Sequence, residues 1–150
     1  MKITLQKIET GEEEIIIRYR EMNREISDVM KLLSGTDGRL SGVKEDEGRQ
    51  YYFSLEEVYY FESVDGRLYA YLEKAVYRLR EGLEEIAEQY AQRGIVRCAR
   101  TMAVNLYQVE WLKSQPGGRI LASLRNGEQI VISRRYAGEL RRQLRRGAGV

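Results

Sequence analysis

The stretch LRNGEQIVISRRY, residues 124–136, places an Asn-Gly pair between two apolar runs. Asn126-Gly127 favours a hairpin turn because glycine and asparagine accept the positive φ that such turns need. The flanking runs, ILASL and QIVIS, have the apolar and β-branched composition of strands. This is the strongest hairpin signal in the chain, and it predicts paired antiparallel strands in the C-terminal third.

Two more hairpins are predicted upstream. LSGVKEDEGRQYYF favours a turn at residues 46–48, and VYYFESVDGRLYAYLE favours one at Asp65-Gly66. The next segment has apolar residues at helical spacing, and we predict a strand to about Arg80 followed by a short helix over residues 81–91. Together these signals predict an α+β domain that is predominantly β.

The N-terminal segment has a different pattern. KITLQKIETGEEEIIIRYR alternates apolar and polar residues around Gly11, which predicts a β-hairpin. MNREISDVMKLLSG predicts a helix with Asn23 as its N-cap and Gly35 as its stop. We therefore expect an N-terminal unit over residues 1–45, a β-hairpin plus helix for dimerisation or for docking another protein, and a second unit over residues 46–150.

The charge is distributed unevenly along the chain. The overall formal charge is only +2, yet residues 1–49 and 50–92 have net charges of −2 and −5, whereas residues 93–150 have +9. A domain with its positive charge in one region has the electrostatic outline of a polyanion binder. The alternative is a solvated face with an arginine-rich tail, and charge alone does not separate the two.

The composition gives little support to enzymatic chemistry. The chain has no histidine, which excludes imidazole bases and histidine-containing metal sites, and Cys98 is its one cysteine. We expect Cys98 to be a small buried residue, and we expect no catalytic activity, cofactor or metal. No apolar run reaches membrane-spanning length and no signal peptide is evident, so we expect a cytoplasmic protein without membrane insertion.

The arginines fall at the ends of predicted strands. Arg67 follows a hairpin turn, Arg97 and Arg100 are placed where the strand IVRCA ends, and Arg134 and Arg135 follow QIVIS. Arginine at a loop edge on a rigid sheet suits a nucleic-acid contact, because its planar fork bonds phosphate or guanine. The alternative is that these arginines pair with the plentiful surface glutamates.

Three segments in order, LEEVYYFESVDGRLYAYL, GLEEIAEQYAQRGIVRCARTMAVNLYQVEWL and LRNGEQIVISRRYAGELRRQL, resemble a LytTR-type DNA-binding domain over roughly residues 46–146. The resemblance implies an elongated arrangement of three small antiparallel β-sheets with a two-turn helix. It implies that loops bind promoter double-stranded DNA in two successive major grooves and the minor groove between them. It also implies homodimers on repeated half-sites.

Matching positions assign candidate contacts. By resemblance, Arg67, Arg100 and Arg135 are the base-contacting candidates. Five residues beside them are candidates for phosphate contacts or for shaping the loops: Arg97, Thr101, Asn105, Ser133 and Arg134. Members of the family commonly have histidine where this chain has Ala99. We therefore expect the arginines to shift contacts toward guanine or phosphate.

We conclude from the sequence that the chain is a sequence-specific DNA-binding transcriptional regulator that acts as a homodimer. The first 45 residues are too short for a phosphorylated receiver domain, so we expect a stand-alone regulator. The alternative is a protein-interaction or ligand-sensing module that binds no nucleic acid. An RNA-binding regulator is compatible with the charge but not with the order of the family motifs.

Overall fold

The computed structural model describes residues 1–148, with the side chains at 31, 34–37 and 146–148 excepted. The described residues form ten strands and three α-helices. Their bounds are α1 Arg24–Asp37, β1 Arg39–Val43, β2 Gln50–Ser54, β3 Tyr60–Val64, β4 Arg67–Tyr71, β5 Val76–Leu79, α2 Leu83–Gln89, β6 Ile95–Ala99, β7 Met102–Asn105, β8 Val109–Ser114, β9 Ile120–Leu124, β10 Gln129–Ile132 and α3 Arg134–Ala148.

The strands form two antiparallel sheets. The first has seven strands in the order β2-β1-β5-β4-β3-β7-β6, and the second has three in the order β10-β9-β8. Within the first sheet, β1 joins β5 through the single register pair Val43–Arg78. The β1–β2 hairpin thus joins the other five strands through one register pair, and the described strands form two sheets where the resemblance implied three.

One hydrophobic core lies between the seven-stranded sheet and α2. Phe61, Ala70 and Ile86 are fully buried there, and in β1 and β4 the buried residues alternate with half-buried or exposed ones. This alternation has period two because successive strand side chains point to opposite faces. The buried members are Leu40, Phe53, Leu55, Val58, Phe61, Leu68, Ala70, Leu79, Leu83, Ile86, Tyr90, Ile95 and Ala103.

A second core lies between β6 and β7, the three-stranded sheet and α3. In β6, Ile95 faces the first core while Val96 and Cys98 face the second. Because both faces of β6 and β7 are covered, their sequences are nearly continuous apolar runs rather than alternating ones. The second core contains Tyr59, Val96, Cys98, Val104, Ile120, Ala122, Leu124, Ile130, Ile132, Ala137 and Leu140.

The hairpins predicted in the second unit are confirmed. The β3–β4 turn has Asp65 at φ 51° and Gly66 at φ 76°, the positive values that a type I′ turn requires. Gly127, at φ 91°, lies in the β9–β10 turn. The predicted strand and short helix are also present as β5 and α2, and the chain leaves the helical segment at Gly94 with φ 89°.

Two predictions for the N-terminal segment are wrong. Residues 1–23, all of which the structure describes, contain no strand, so the predicted hairpin is absent. An isolated two-stranded hairpin is marginal in water, and this one has no surface beside it to cover its apolar face. Helix α1 begins at the predicted cap, where the Asn23 side chain accepts from the Ile26 N–H at 2.9 Å. However, it passes Gly35 and ends at Gly38, which adopts φ 72°.

Candidate nucleic-acid interface

Three loops meet at one end of the sheets, which we call the loop end. They are the β3–β4 turn, the β6–β7 turn at residues 100–101 and the junction between β10 and α3. The backbone N–H of Ser63 donates to the Thr101 carbonyl at 2.8 Å, which ties the first loop to the second. The N–H of Ser133 donates to the Cys98 carbonyl at 2.8 Å and ties the third loop to β6. The three predicted contact segments are therefore neighbours in space.

Arg97 organises the second loop rather than extending into solvent. Its Nη2 donates to the carbonyl of Arg100 at 2.6 Å and its Nε donates to that of Ala99 at 3.4 Å. The guanidinium also lies over the ring of Tyr136 in α3, 5.3 Å from the ring centroid. Arg135 lies 5.4 Å from the centroid of the same ring. Tyr136 thus connects the second loop to the third through two cation–π contacts.

In the second and third loops, the exposed cations among the described residues are Arg100, Arg134 and Arg135. None of them has an acidic partner within ion-pair distance in the part of the chain that the structure describes. The stem of Arg134 packs on Gly118, where an added Cβ would lie 3.2 Å from the Arg134 Cγ. These guanidinium groups therefore present charge to solvent from positions fixed by the sheets and α3.

Arg67 is placed differently. It is the first residue of β4 and its side chain is 59% exposed, but its Nη1 lies 3.5 Å from Oε1 of Glu45. The same carboxylate oxygen lies 3.5 Å from Nη1 of Arg78 and accepts from the Tyr69 hydroxyl at 2.9 Å. Arg67 is therefore at the loop end, as predicted for a DNA contact, but it also forms the ion pair with a surface glutamate that was the alternative.

Of the remaining candidates, two are at the loop end and one is not. Thr101 is exposed in the β6–β7 turn, and Ser133 is half-buried immediately before α3. Asn105 lies at the opposite end of β7 and is only 1% exposed. Its Nδ2 donates to the carbonyls of Leu55 and Val58, at 3.2 and 2.8 Å. Of the two roles expected for Asn105, this position supports loop shaping and leaves no surface for a phosphate.

The chemistry of the site is that of fixed positive charge. Burial raises the pKa of the Cys98 thiol to about 12, so it is protonated near neutral pH and behaves as a core residue. The described residues contain no group of histidine, cysteine and carboxylate side chains suited to a metal ion. Likewise, none of the described helices is long and apolar enough to span a bilayer.

Sequence reasoning missed two functional neighbours. Tyr136 is not among the predicted contact residues. It directly follows Arg134 and Arg135 in the sequence, and an aromatic residue in that position is a signal for a cation–π contact. Glu45 gave no such signal, because it is 22 positions from Arg67 and 33 from Arg78 along the chain. Its contact with both arginines depends on the pairing of β1 with β5.

Comparison with known proteins agrees with this fold. The family model of the LytTr DNA-binding domain matches residues 48–145. The solved LytTr DNA-binding domain of a response regulator from Bacillus cereus has a TM-score of 0.65 and 23% sequence identity, over 71% of this chain and 96% of that one. No curated protein shows significant similarity to the chain.

The protein is thus a DNA-binding domain protein of the type involved in transcription regulation, with an α+β, predominantly β fold. It belongs to the LytTR family.

Proposed function

We propose that the protein is a sequence-specific regulator that binds promoter double-stranded DNA with arginines at the loop end. Arg100 and Arg135 contact base edges, and Arg134 and Thr101 contact the backbone. The observation that carries this proposal is the meeting of three loops, two of which present exposed guanidinium groups that form no ion pair in the described part of the chain. Because promoter DNA is the partner, the cytoplasm is the expected compartment.

The electrostatics support the same proposal. Residues 93–150, with their net charge of +9, contribute the second and third loops and α3. Neutralising DNA phosphates releases counterions, so the binding constant is expected to fall steeply as salt rises. An interaction module without nucleic-acid affinity would show no such dependence.

The test is a titration on duplex DNA selected from a random pool with the whole protein. We expect Arg100→Ala and Arg135→Ala each to lose about 1–3 kcal/mol of specific binding, the typical loss for a base-contacting arginine. Arg125→Ala is the matched control because it removes the same charge from the β9–β10 turn, where Arg125 Nε donates to the Tyr107 carbonyl. The control should bind like the original chain. Unchanged affinity in both loop-end variants would reject these contacts.

We also propose that two copies bind repeated half-sites, joined through the N-terminal unit. Residues 1–23 expose large apolar side chains that a monomer leaves in water, and Ile3, Leu5 and Ile15 are 82%, 94% and 74% exposed. A second copy that packs against these side chains removes them from water. The alternative occupant of this unit is another protein.

The mass of the purified full chain by light scattering tests this contact. We expect a dimer for the original chain and a monomer for the double variant Leu5→Lys, Ile15→Lys, because charge on the apolar face opposes its burial. Val131→Lys is the control, since Val131 is also an exposed apolar residue, at 44%, but lies on β10. A monomeric original chain, or a dimer unaffected by the double variant, would remove the N-terminal unit from the proposed interface.

A further inference from the structure

A notch of about 350 Å³ lies beside the β3–β4 turn, between it and the end of β5. The residues that line it include three arginines, Arg67, Arg78 and Arg80, and one acidic residue, Glu81. Ser63 also lines the notch, and its N–H bonds to the Thr101 carbonyl. The notch is therefore next to the second loop and is part of the loop end, with a local excess of positive charge.

The three arginines are not equally engaged. Arg67 and Arg78 share Oε1 of Glu45 at 3.5 Å each, and their side chains are 59% and 37% exposed. Arg80 is exposed just after β5 and forms no ion pair within the described residues. Glu45 is itself 48% exposed. Ion pairs this accessible to water are weak, so another anion can replace the carboxylate.

We propose that this notch binds one phosphate of the DNA backbone, and that Glu45 competes with that phosphate for Arg67 and Arg78. A guanidinium group donates to phosphate oxygens through its planar fork, and three arginines beside one notch suit the singly charged phosphodiester of the DNA backbone. Phosphate displaces the Glu45 carboxylate when DNA binds. Arg78 and Arg80, which the family resemblance did not assign, thereby become part of the DNA contact. This inference rests on the proposed function.

The first test removes the competitor. Glu45→Gln keeps an acceptor for the Tyr69 hydroxyl but removes the charge, so we expect DNA affinity to rise about two- to fivefold, the range set by an exposed ion pair. Glu47→Gln is the control: it changes the net charge equally and lies in the same turn, but Glu47 contacts Lys44 and Tyr51 instead. Equal affinity of the two variants would reject the competition.

The second test counts the phosphate contact. The plot of log K against log salt has a negative slope. Arg80→Ala should make this slope shallower by about 0.9, the value for one released phosphate counterion. Lys74→Ala, an exposed cation in the β4–β5 turn at the other end of β5, should leave the slope unchanged. A slope that is the same in both variants would reject Arg80 as a contact.

The source of the phosphate is tested by competition at constant ionic strength. Millimolar inorganic phosphate should not displace DNA, because a single backbone phosphate site gains its affinity from the rest of the interface. Saturable displacement by inorganic phosphate, lost in Arg80→Ala, would instead identify a site for the free anion. If the original chain binds DNA but Glu45→Gln and Arg80→Ala behave as their controls, only this inference fails. If the original chain does not bind DNA at all, the proposed function fails with it.

Discussion

The two ends of the β6–β7 pair use polar residues in opposite ways. At the loop end, Arg100 and Thr101 are exposed in a turn, and Arg97 stabilises this turn by donating a hydrogen bond to the Arg100 carbonyl. At the other end, Asn105 terminates β7 and is buried under the turn that contains Leu55. Both positions follow an apolar run in the sequence, so they look alike locally. The two ends differ in the element packed over each strand end, and this decides whether a polar group is exposed to solvent or buried where it anchors the fold.

The largest effect should come from the buried end. Asn105→Ala removes the Asn105 donor to the Val58 carbonyl and one of two donors to the Leu55 carbonyl, which keeps the Val58 N–H, and the Tyr107 N–H loses its acceptor. Each buried unsatisfied group costs about 1–3 kcal/mol, so we expect the free energy of unfolding to fall by roughly 2–3 kcal/mol. Chemical denaturation measures this loss.

Gln92→Ala provides the comparison for that measurement, because Gln92 is an exposed amide near the same end. Its stability should change by less than about 0.5 kcal/mol. DNA affinity of the Asn105 variant should match the original chain at a temperature where both are folded. A large, specific loss of DNA affinity in folded Asn105→Ala would contradict the contrast between the two ends.

A smaller effect is expected for the residue that supports the loop end. Arg97→Ala removes the hydrogen bonds to the Ala99 and Arg100 carbonyls and one of the cation–π contacts to Tyr136. With the second loop less ordered, DNA binding should weaken by about 1 kcal/mol, the value of a typical hydrogen bond. Binding titrations over a range of salt concentrations measure both the affinity and the salt slope.

The salt slope separates positioning from contact. If Arg97 acts by positioning Arg100, the slope of log K against log salt stays the same in Arg97→Ala. If Arg97 contacts a phosphate, the negative slope becomes shallower by about 0.9. Arg97→Lys tests the same point by another route. A lysine keeps the charge but lacks the planar fork that reaches both carbonyls, so it should not restore affinity. Full recovery with lysine would show that charge alone matters at this position.

Local signals predicted much of the second unit. The turns at Asp65-Gly66 and at Gly127 were predictable because Asp65, Gly66 and Gly127 adopt a positive φ there, a conformation that glycine and aspartate accept more readily than most residues. The short helix α2 and its exit at Gly94 follow from apolar spacing and from one glycine. The same kind of signal failed in the N-terminal segment. Residues 1–23 have the alternating pattern of a hairpin but form no strand, because no neighbouring strands cover their apolar side chains.

The turns, the succession of strands along the chain, the apolar faces and the motif order of the LytTR family could all be predicted from local sequence, because each depends on residues close together in the chain. Which polar residues are exposed depends on the tertiary structure. It buried Asn105, placed Tyr136 between two arginines, and brought Glu45 to Arg67 and Arg78 across the β1–β5 junction. Burial and ion pairing depend on what packs against a side chain, and here that neighbour comes from a distant segment of the chain.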